Sequence, residues 1–291
     1  SSDLVTMAVG AMALAKKEAI VSKLVAIEEM AGMDILCADK TGTITQNLIS
    51  VAGVAPFGSH DEKSVILYAA LASKEEDKDP IDLAIIKKMR ESKEQDATAS
   101  LYAVSNFMPF DPVSKRTEAR AAKGGVTFKV TKGAPQMIAA LCDGNTKAWT
   151  TEHTEEFARR GYRTLGVAKT ANGGQWDFVG LISLHDPPRE DSKETIGTAR
   201  SMGLDVKMVT GDHVAIAGEI AREVGMGTNI QPETAIVGIP DEKAADIVEE
   251  ADGFAEVFPE HKYRIVDLLQ KKGHIVGMTG DGVNDVPALQ K

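Results

Sequence analysis

The chain has 291 residues, enough for roughly two domains of about 150 residues each, and its 43% hydrophobic and 26% charged residues exclude disorder and fibre. Lys+Arg 33 against Asp+Glu 43 leaves a formal charge of -10 with no basic patch to override it, so no nucleic-acid partner is expected. The two cysteines, Cys37 and Cys142, form no CxxC pair and read as buried small hydrophobes in a reducing compartment, not as a disulfide framework or a thiolate zinc site.

The first element in chain order is a nearly apolar stretch over 4–15, bounded by Asp3 and Lys16. It is shorter than the ~20 apolar residues a membrane-spanning helix needs. It is no secretory signal either, because a basic leading region is missing and Lys16, Lys17 and Glu18 follow where a cleavage site would lie. Two readings remain open for it: an amphipathic helix, or the cut end of a longer membrane segment.

A first strand is predicted near 33–38. The middle of the chain, from about 48 to 180, has a different character. Helices are predicted over 62–74 and 80–91, separated by the charged linker 74–79, with Asp79 as N-cap and Pro80 in the first helical position. Strand-like runs at 102–107, 117–122 and 126–131 follow, the last two joined by a Lys123-Gly124-Gly125 turn as a hairpin. A parallel α/β rhythm is read from 178 onward. Its members are helix 191–202, strand 206–209, helix 213–224, helix 241–251, strand 254–258, helix 260–272 and strand 274–278. The expected architecture is one α/β domain with a doubly wound parallel sheet, its first strand parted from the rest by an inserted α+β domain.

The sharpest chemical feature is Asp39-Lys40-Thr41-Gly42-Thr43, directly after the apolar run Ile35-Leu36-Cys37-Ala38. Ligands of parallel α/β sheets lie outside the carboxyl ends of the strands, which puts the Asp39 carboxylate at a site where it can act as a nucleophile. The Thr-Gly-Thr that follows offers backbone N–H groups and hydroxyls to phosphoryl oxygens. An isolated Asp after a strand would read as a turn cap. Three further strand ends carry matching chemistry, however: Thr210-Gly211-Asp212, Pro259-Glu260-His261-Lys262, and Thr279-Gly280-Asp281-Gly282-Val283-Asn284-Asp285. Phosphoryl transfer needs an in-line nucleophile, a cation for the phosphoryl oxygens and hard carboxylate ligands for magnesium. Asp39, Lys262 and Asp281 supply these, with Asn284 and Asp285 on the same turn as Asp281 and Thr210 as a hydroxyl donor.

On these motifs the sequence resembles the P-type cation-transporting ATPases, which are built on the haloacid dehalogenase-like fold. Asp39-Lys40-Thr41-Gly42-Thr43-Ile44-Thr45 departs from the family's phosphorylation motif only at Ile44, where Leu is usual. Ile27-Glu28-Glu29-Met30-Ala31-Gly32-Met33-Asp34 most resembles the plasma-membrane proton pumps of the family. The resemblance covers essentially the whole chain. It implies that 1–29 is the end of a membrane helix and a stalk, that 30–48 and 182–291 form the phosphorylation domain, and that 49–181 form a nucleotide-binding domain with an antiparallel sheet. It implies Mg2+ as cofactor and ATP as substrate. The catalytic set would be Asp39, Lys40, Thr41, Thr43, Thr210, Gly211, Asp212, Lys262 and Asn284, and the metal set Asp39, Thr41, Asp281 and Asp285. In the insert, Phe110-Asp111-Pro112 with Lys115 and Arg116, then Lys132-Gly133-Ala134-Pro135, and Arg163 match the family's nucleotide site. Asp186-Pro187-Pro188-Arg189 matches its hinge, and Asp186 is counted with the nucleotide residues. Lys-Gly-Ala is expected to let the backbone approach the base.

Simple phosphatases of the same superfamily carry a second Asp two residues after the nucleophile. Here that position is Thr41, which cannot deprotonate water near neutral pH, so an aspartyl phosphate would persist long enough to be coupled to a conformational change. The family's Thr-Gly-Glu loop, on a separate actuator domain, does not occur in this chain. The expectation is therefore a soluble fragment at the cytoplasmic face of a membrane, whose partners would be ATP and the transmembrane and actuator domains of a parent pump. Two alternatives stand beside it: a free-standing phosphohydrolase, which should carry Asp where Thr41 stands, and a nucleotide-sensing module without turnover. No GxxxxGK[ST] loop occurs. The six histidines show no HExxH or paired spacing and read as solvated or capping, and Trp149 and Trp176 read as packing residues.

Overall fold

A computed structural model of the chain describes residues 2–23, 25–142, 146–170, 174–280 and 286–289. Two helices, α1 (Ser2–Ala15) and α2 (Val25–Ala31), precede strand β1 (Ile35–Asp39). Then follow β2 (Ser50–Pro56), α3 (Glu62–Leu71), α4 (Pro80–Arg90), α5 (Lys93–Ala99), β3 (Ala103–Asp111), β4 (Arg116–Lys123), β5 (Val126–Gly133), α6 (Pro135–Leu141), α7 (Thr146–Arg159), β6 (Arg163–Thr170) and β7 (Trp176–His185). The chain continues through α8 (Ser192–Ser201), β8 (Asp205–Val209), α9 (Val214–Glu223), β9 (Ile230–Pro232), α10 (Asp241–Glu250), β10 (Gly253–Ala255), α11 (Pro259–Lys271), β11 (Val276–Thr279) and α12 (Val286–Leu289). Among the described residues no helix is long and apolar enough to cross a membrane.

The chain divides into two units, one of Ser1–Ile44 with Pro188–Lys291 and one of Thr45–Pro187. The first holds a five-stranded sheet in the order β11-β1-β8-β10-β9, every pairing parallel. Strand alternation sends Ile35, Cys37 and Val209 to one face and Ala38, Val206 and Met208 to the other. The first set packs on Ala244 and Val248 of α10 and Ile265 and Leu269 of α11, the second on Ile196 of α8 and Ala217 and Ile220 of α9. Each large side chain so buried contributes about 1.5–3 kcal/mol. Helices on both faces make the sheet doubly wound, the architecture expected from the sequence.

Two polar features brace this sheet. Lys207 is 1% exposed in the middle of β8, and its ammonium donates to Glu249 O (2.8 Å) and Ala251 O (2.7 Å) while pairing with Asp205 (2.7 Å), so it satisfies carbonyls at the carboxyl end of α10. His274 Nδ1 lies 2.8 Å from Asp34 Oδ2 and its Nε2 3.1 Å from Glu249 Oε1, and Asp34 Oδ1 accepts from the Ile275 amide, joining the starts of β1 and β11.

The second unit is a six-stranded antiparallel sheet in the order β2-β7-β6-β5-β4-β3. Val65, Ile66 and Ala69 of α3 and Ile85 and Met89 of α4 pack on Val167, Val179 and Ile182. Ile138 of α6 and Phe157 of α7 pack on Ala168, Phe178 and Leu181. Asp79 caps α4 through its side chain, which accepts from Ile81 N and Asp82 N, with Pro80 first in the helix as the sequence led one to expect. Both cysteines are buried, Trp149 packs edge-on to Phe57, and His213 caps α9 by accepting from Ala215 N.

Several expectations need correction. The parallel rhythm does not begin at 178, because β7 lies antiparallel between β2 and β6 and runs to His185, across from Ser50. Residues 45–48 and 182–187, assigned from sequence to the parallel domain, therefore fall in the inserted unit. The strand read as 254–258 is Gly253–Ala255, because Glu256 adopts φ 60° and turns the chain. The strand read as 274–278 starts at Val276: the His274 amide turns back to Leu269 O and the Ile275 amide donates to the Asp34 side chain. Strand 102–107 extends to Asp111.

Candidate active site

Three of the four strand ends singled out from sequence can be followed in full at the carboxyl edge of the parallel sheet, and of the fourth, Thr279 ends β11 in register with Ala38. β1 ends on Asp39, in register with Val209, the last residue of β8, so Thr210 follows at the same edge. Val257 N donates to Thr210 O (3.1 Å) and Thr210 N to Phe254 O (2.9 Å), which ties the end of β10 to the end of β8. α11 then begins at Pro259, and its first turn carries Lys262. Lys262 Nζ lies 2.5 Å from Asp39 Oδ1. Lys40 Nζ lies 3.0 Å from Asp212 Oδ2, and both side chains are buried. Thr210 is buried too, its hydroxyl accepting from the Asp212 amide at 3.2 Å, and Gly211 is exposed. Buried ion pairs add little net stability, so two of them at neighbouring strand ends point to chemistry more than to packing.

The loop after Asp39 is a type II turn, with Thr41 at φ -74°, ψ 129° and Gly42 at φ 72°, ψ -12°. The second conformation favours glycine, which has no Cβ to strain there, and Gly42 occupies it. Thr41 and Thr43 are half-buried on either side of it. Asp281, Asn284 and Asp285 lie outside the described residues. Among the described ones, the Asp39 carboxylate and the main-chain carbonyl of Thr41 are hard oxygen donors two residues apart at one strand end, a donor set that fits magnesium.

In the insert, register brings the nucleotide candidates together at one end of the antiparallel sheet. Asp111 pairs with Arg116, Arg116 with Gly133, and Gly133 with Gly166, while Arg163 opens β6 at the same end. Phe110 is 59% exposed there, an open aromatic face, and the Arg163 side chain is exposed as well. Asp111 accepts from Ser114 N (2.8 Å) and Val113 N (3.3 Å), and the contacts of Ser114 and then Val113 hold its carboxyl below the usual range. Its carboxylate thus shapes the 111–115 turn, in which Lys115 takes φ 51°. Arg116 pairs with Glu118 at 3.2 Å and lies 5.7 Å from the Trp176 ring centre.

Three residues sit differently from expectation. A Cβ at Gly133 would fall 2.7 Å from Arg116 Cα, so the close approach that glycine permits is made by the chain itself. Lys132 is 3% exposed; its ammonium pairs with Asp82 (2.7 Å) and donates to Ala72 O (3.0 Å) and Thr117 Oγ1 (3.2 Å). Asp186 accepts from Thr45 Oγ1 (2.6 Å) on one oxygen and from Leu48 N (3.1 Å) on the other, which joins the two chain connections of the insert. Asp82, the buried partner of Lys132, was missed from sequence. An Asp in the first turn of a helix reads as a dipole partner, and nothing local announces a lysine fifty positions on.

Comparison with known proteins agrees with this geometry. A protein of Methanocaldococcus jannaschii named "Putative cation-transporting ATPase" is 52% identical over 295 aligned positions, which cover 99% of this chain and 36% of the relative. The chain thus spans about a third of that relative's length. Residues 33–291, which include the whole parallel sheet and the insert, match the haloacid dehalogenase-like hydrolases, and the chain belongs to that family.

Proposed function

We propose that this chain is the catalytic part of an ATP-driven cation pump of the P-type, which binds Mg-ATP through its insert and accepts the γ-phosphoryl group on Asp39. The observation that carries the reading is the buried Lys262–Asp39 pair at the carboxyl edge of a doubly wound sheet. The name of the M. jannaschii relative supports cation transport, and the residues from Ile27 to Asp34 favour the proton as the cation. The transmembrane path and an actuator domain would come from the rest of such a pump.

An Asp39 carboxylate oxygen forms the new bond to phosphorus as the bond from phosphorus to the β,γ-bridging oxygen breaks, and ADP departs with that electron pair. Lys262 supplies positive charge to the nucleophile before transfer and to the phosphoryl oxygens after it. Lys40, neutralised by Asp212, keeps its fixed place behind the loop. The backbone N–H groups around Gly42 and the hydroxyls of Thr43 and Thr210 are suited to the equatorial oxygens. Magnesium, held by Asp39, the Thr41 carbonyl, Asp281 and Asp285, would neutralise phosphate charge when bound. Thr41 is no general base, so the acyl phosphate is left to persist. Phe110 and Arg163, at the exposed end of the insert sheet, are suited to an adenine face and to phosphates.

Incubation with labelled ATP tests this. The expected result is a trace of acid-stable, hydroxylamine-labile label lost in Asp39→Asn, with ATP affinity in that variant within about tenfold of wild type, or ~1.4 kcal/mol. Multiple turnovers per minute dependent on Asp39 would instead identify a free-standing phosphohydrolase.

A further inference from the structure

The segment that follows the second connection of the insert reaches back to the loop after β1. The Arg189 amide donates to Ile44 O at 3.0 Å, and its guanidinium Nη2 donates to Gly42 O at 2.8 Å. Ser192 Oγ, from the first residue of α8, donates to the same Ile44 carbonyl at 2.8 Å. Two alternate carbonyls of the loop are thus held by three donors from one short stretch of chain. Arg189 is exposed, and nothing in the core requires an arginine there.

We propose that Arg189 is a positioning residue for the phosphoryl site, acting through the peptide that joins Gly42 to Thr43. The proposal rests on the reading that this loop receives the phosphoryl group. The C=O and N–H of a trans peptide point in opposite directions, and the chain has no cis peptide among its described residues. A guanidinium fixed on Gly42 O therefore fixes the direction of the Thr43 N–H, away from Arg189. It also polarises that peptide, which makes the N–H a stronger donor. The need is specific to this loop. Gly42 has the broadest backbone freedom of any residue, so without an external anchor the turn could rotate its carbonyl and lose the aim of the amide. An arginine suits the task because its charge is permanent and its planar fork gives directed, charge-assisted hydrogen bonds.

The test measures binding of beryllium fluoride with magnesium to the whole chain, together with the 15N–1H shift and hydrogen exchange of the Thr43 amide and the thermal midpoint. Wild type, Arg189→Met, Arg189→Lys and Asp39→Asn are compared. Support is a loss of about tenfold in mimic affinity in Arg189→Met, a displaced Thr43 resonance with faster exchange, an unchanged midpoint, and substantial recovery in Arg189→Lys. Binding equal to wild type in Arg189→Met, while Asp39→Asn abolishes it, overturns the proposal and leaves the phosphorylation reading standing. Loss of affinity in step with the midpoint and unrelieved by lysine also overturns it, as a purely structural effect. Failure of the wild type to bind the mimic overturns the proposal and the functional reading together.

Discussion

Lys262 Nζ and Asp39 Oδ1 are 2.5 Å apart although 223 positions separate the two residues, and both side chains are buried. The contact exists because α11 starts at Pro259 and turns its first coil toward the end of β1. Each charge is a close partner of the other. Removing either one takes that partner from a buried ion, so Lys262→Met and Asp39→Ala are each expected to cost about 3 kcal/mol in unfolding free energy. The double variant should cost clearly less than the sum, with a coupling on the order of 1–3 kcal/mol in a denaturant-based double-mutant cycle. Strict additivity would mean the pair is not coupled.

The buried Lys132–Asp82 pair gives a second expectation. Because the Lys132 ammonium also supports Ala72 O and Thr117 Oγ1, it braces β4 and β5 just behind the row of Asp111, Arg116 and Gly133. Lys132→Met and Asp82→Asn should therefore each destabilise the insert, by ~3 kcal/mol on the scale of broken buried pairs. Titrations should show ATP affinity falling in parallel in both. Weakening in Lys132→Met with affinity intact in Asp82→Asn would mean that the ammonium acts on the nucleotide directly.

His274 should titrate above its ordinary 6.5, first because of its hydrogen bond with Asp34, against the opposing effect of burial, and then through Glu249. Burial pushes the Asp34 carboxyl up, but the hydrogen bonds from His274 and the Ile275 amide outweigh it and leave it below 3.8. A raised histidine pKa contributes stability that is complete below pH 6.5 and is lost as pH climbs through the folded-state value. The depressed Asp34 adds stability present above pH 3.8 and lost in acid. Imidazole resonances followed by NMR should report the raised pKa, and Asp34→Asn should bring it down. An unchanged His274 titration in that variant would remove Asp34 as the cause.

Burial pushes the Cys37 thiol up to about 12, with Lys207 nearby pulling the other way. Since the thiolate is the reactive form, Cys37 should resist alkylation in the native chain near pH 8 and react once it unfolds. Fast native-state labelling at Cys37, read by peptide mass, would contradict the packing described for β1.

Much of the parallel unit was legible because its signals are local. α8, α9, α10 and α11 each fall within a residue or two of their sequence-predicted bounds, Asp39 and Thr210 announced themselves by standing at the ends of apolar strands, and Lys262 by its place in the first turn of the helix after β10. The insert was harder to read. β6 and β7 are apolar enough for a buried parallel strand, and only their hydrogen bonds to β5 and β2 make them antiparallel. The end of β7, 182–185, was therefore assigned to the parallel unit. Lys132 was read as a nucleotide ligand because its motif is local, whereas its partner Asp82 lies on another element and shares no pattern with it. Likewise, the three donors that hold Gly42 and Ile44 are set by tertiary contact and leave no periodicity to detect.

The separation of β1 from its neighbours orders events during synthesis. Ile35 pairs with Asp205 on one side and Val276 on the other, so β1 leaves the ribosome well before either partner strand exists. At about 5–20 residues per second, that is a wait on the order of ten seconds or more. The insert, continuous from Thr45 to Pro187, can complete its own sheet in that interval. The strand carrying Asp39 is left until then as an unpaired apolar segment, available to chaperones and to other nascent chains, and β1 is flanked on both sides only once β11 has been made.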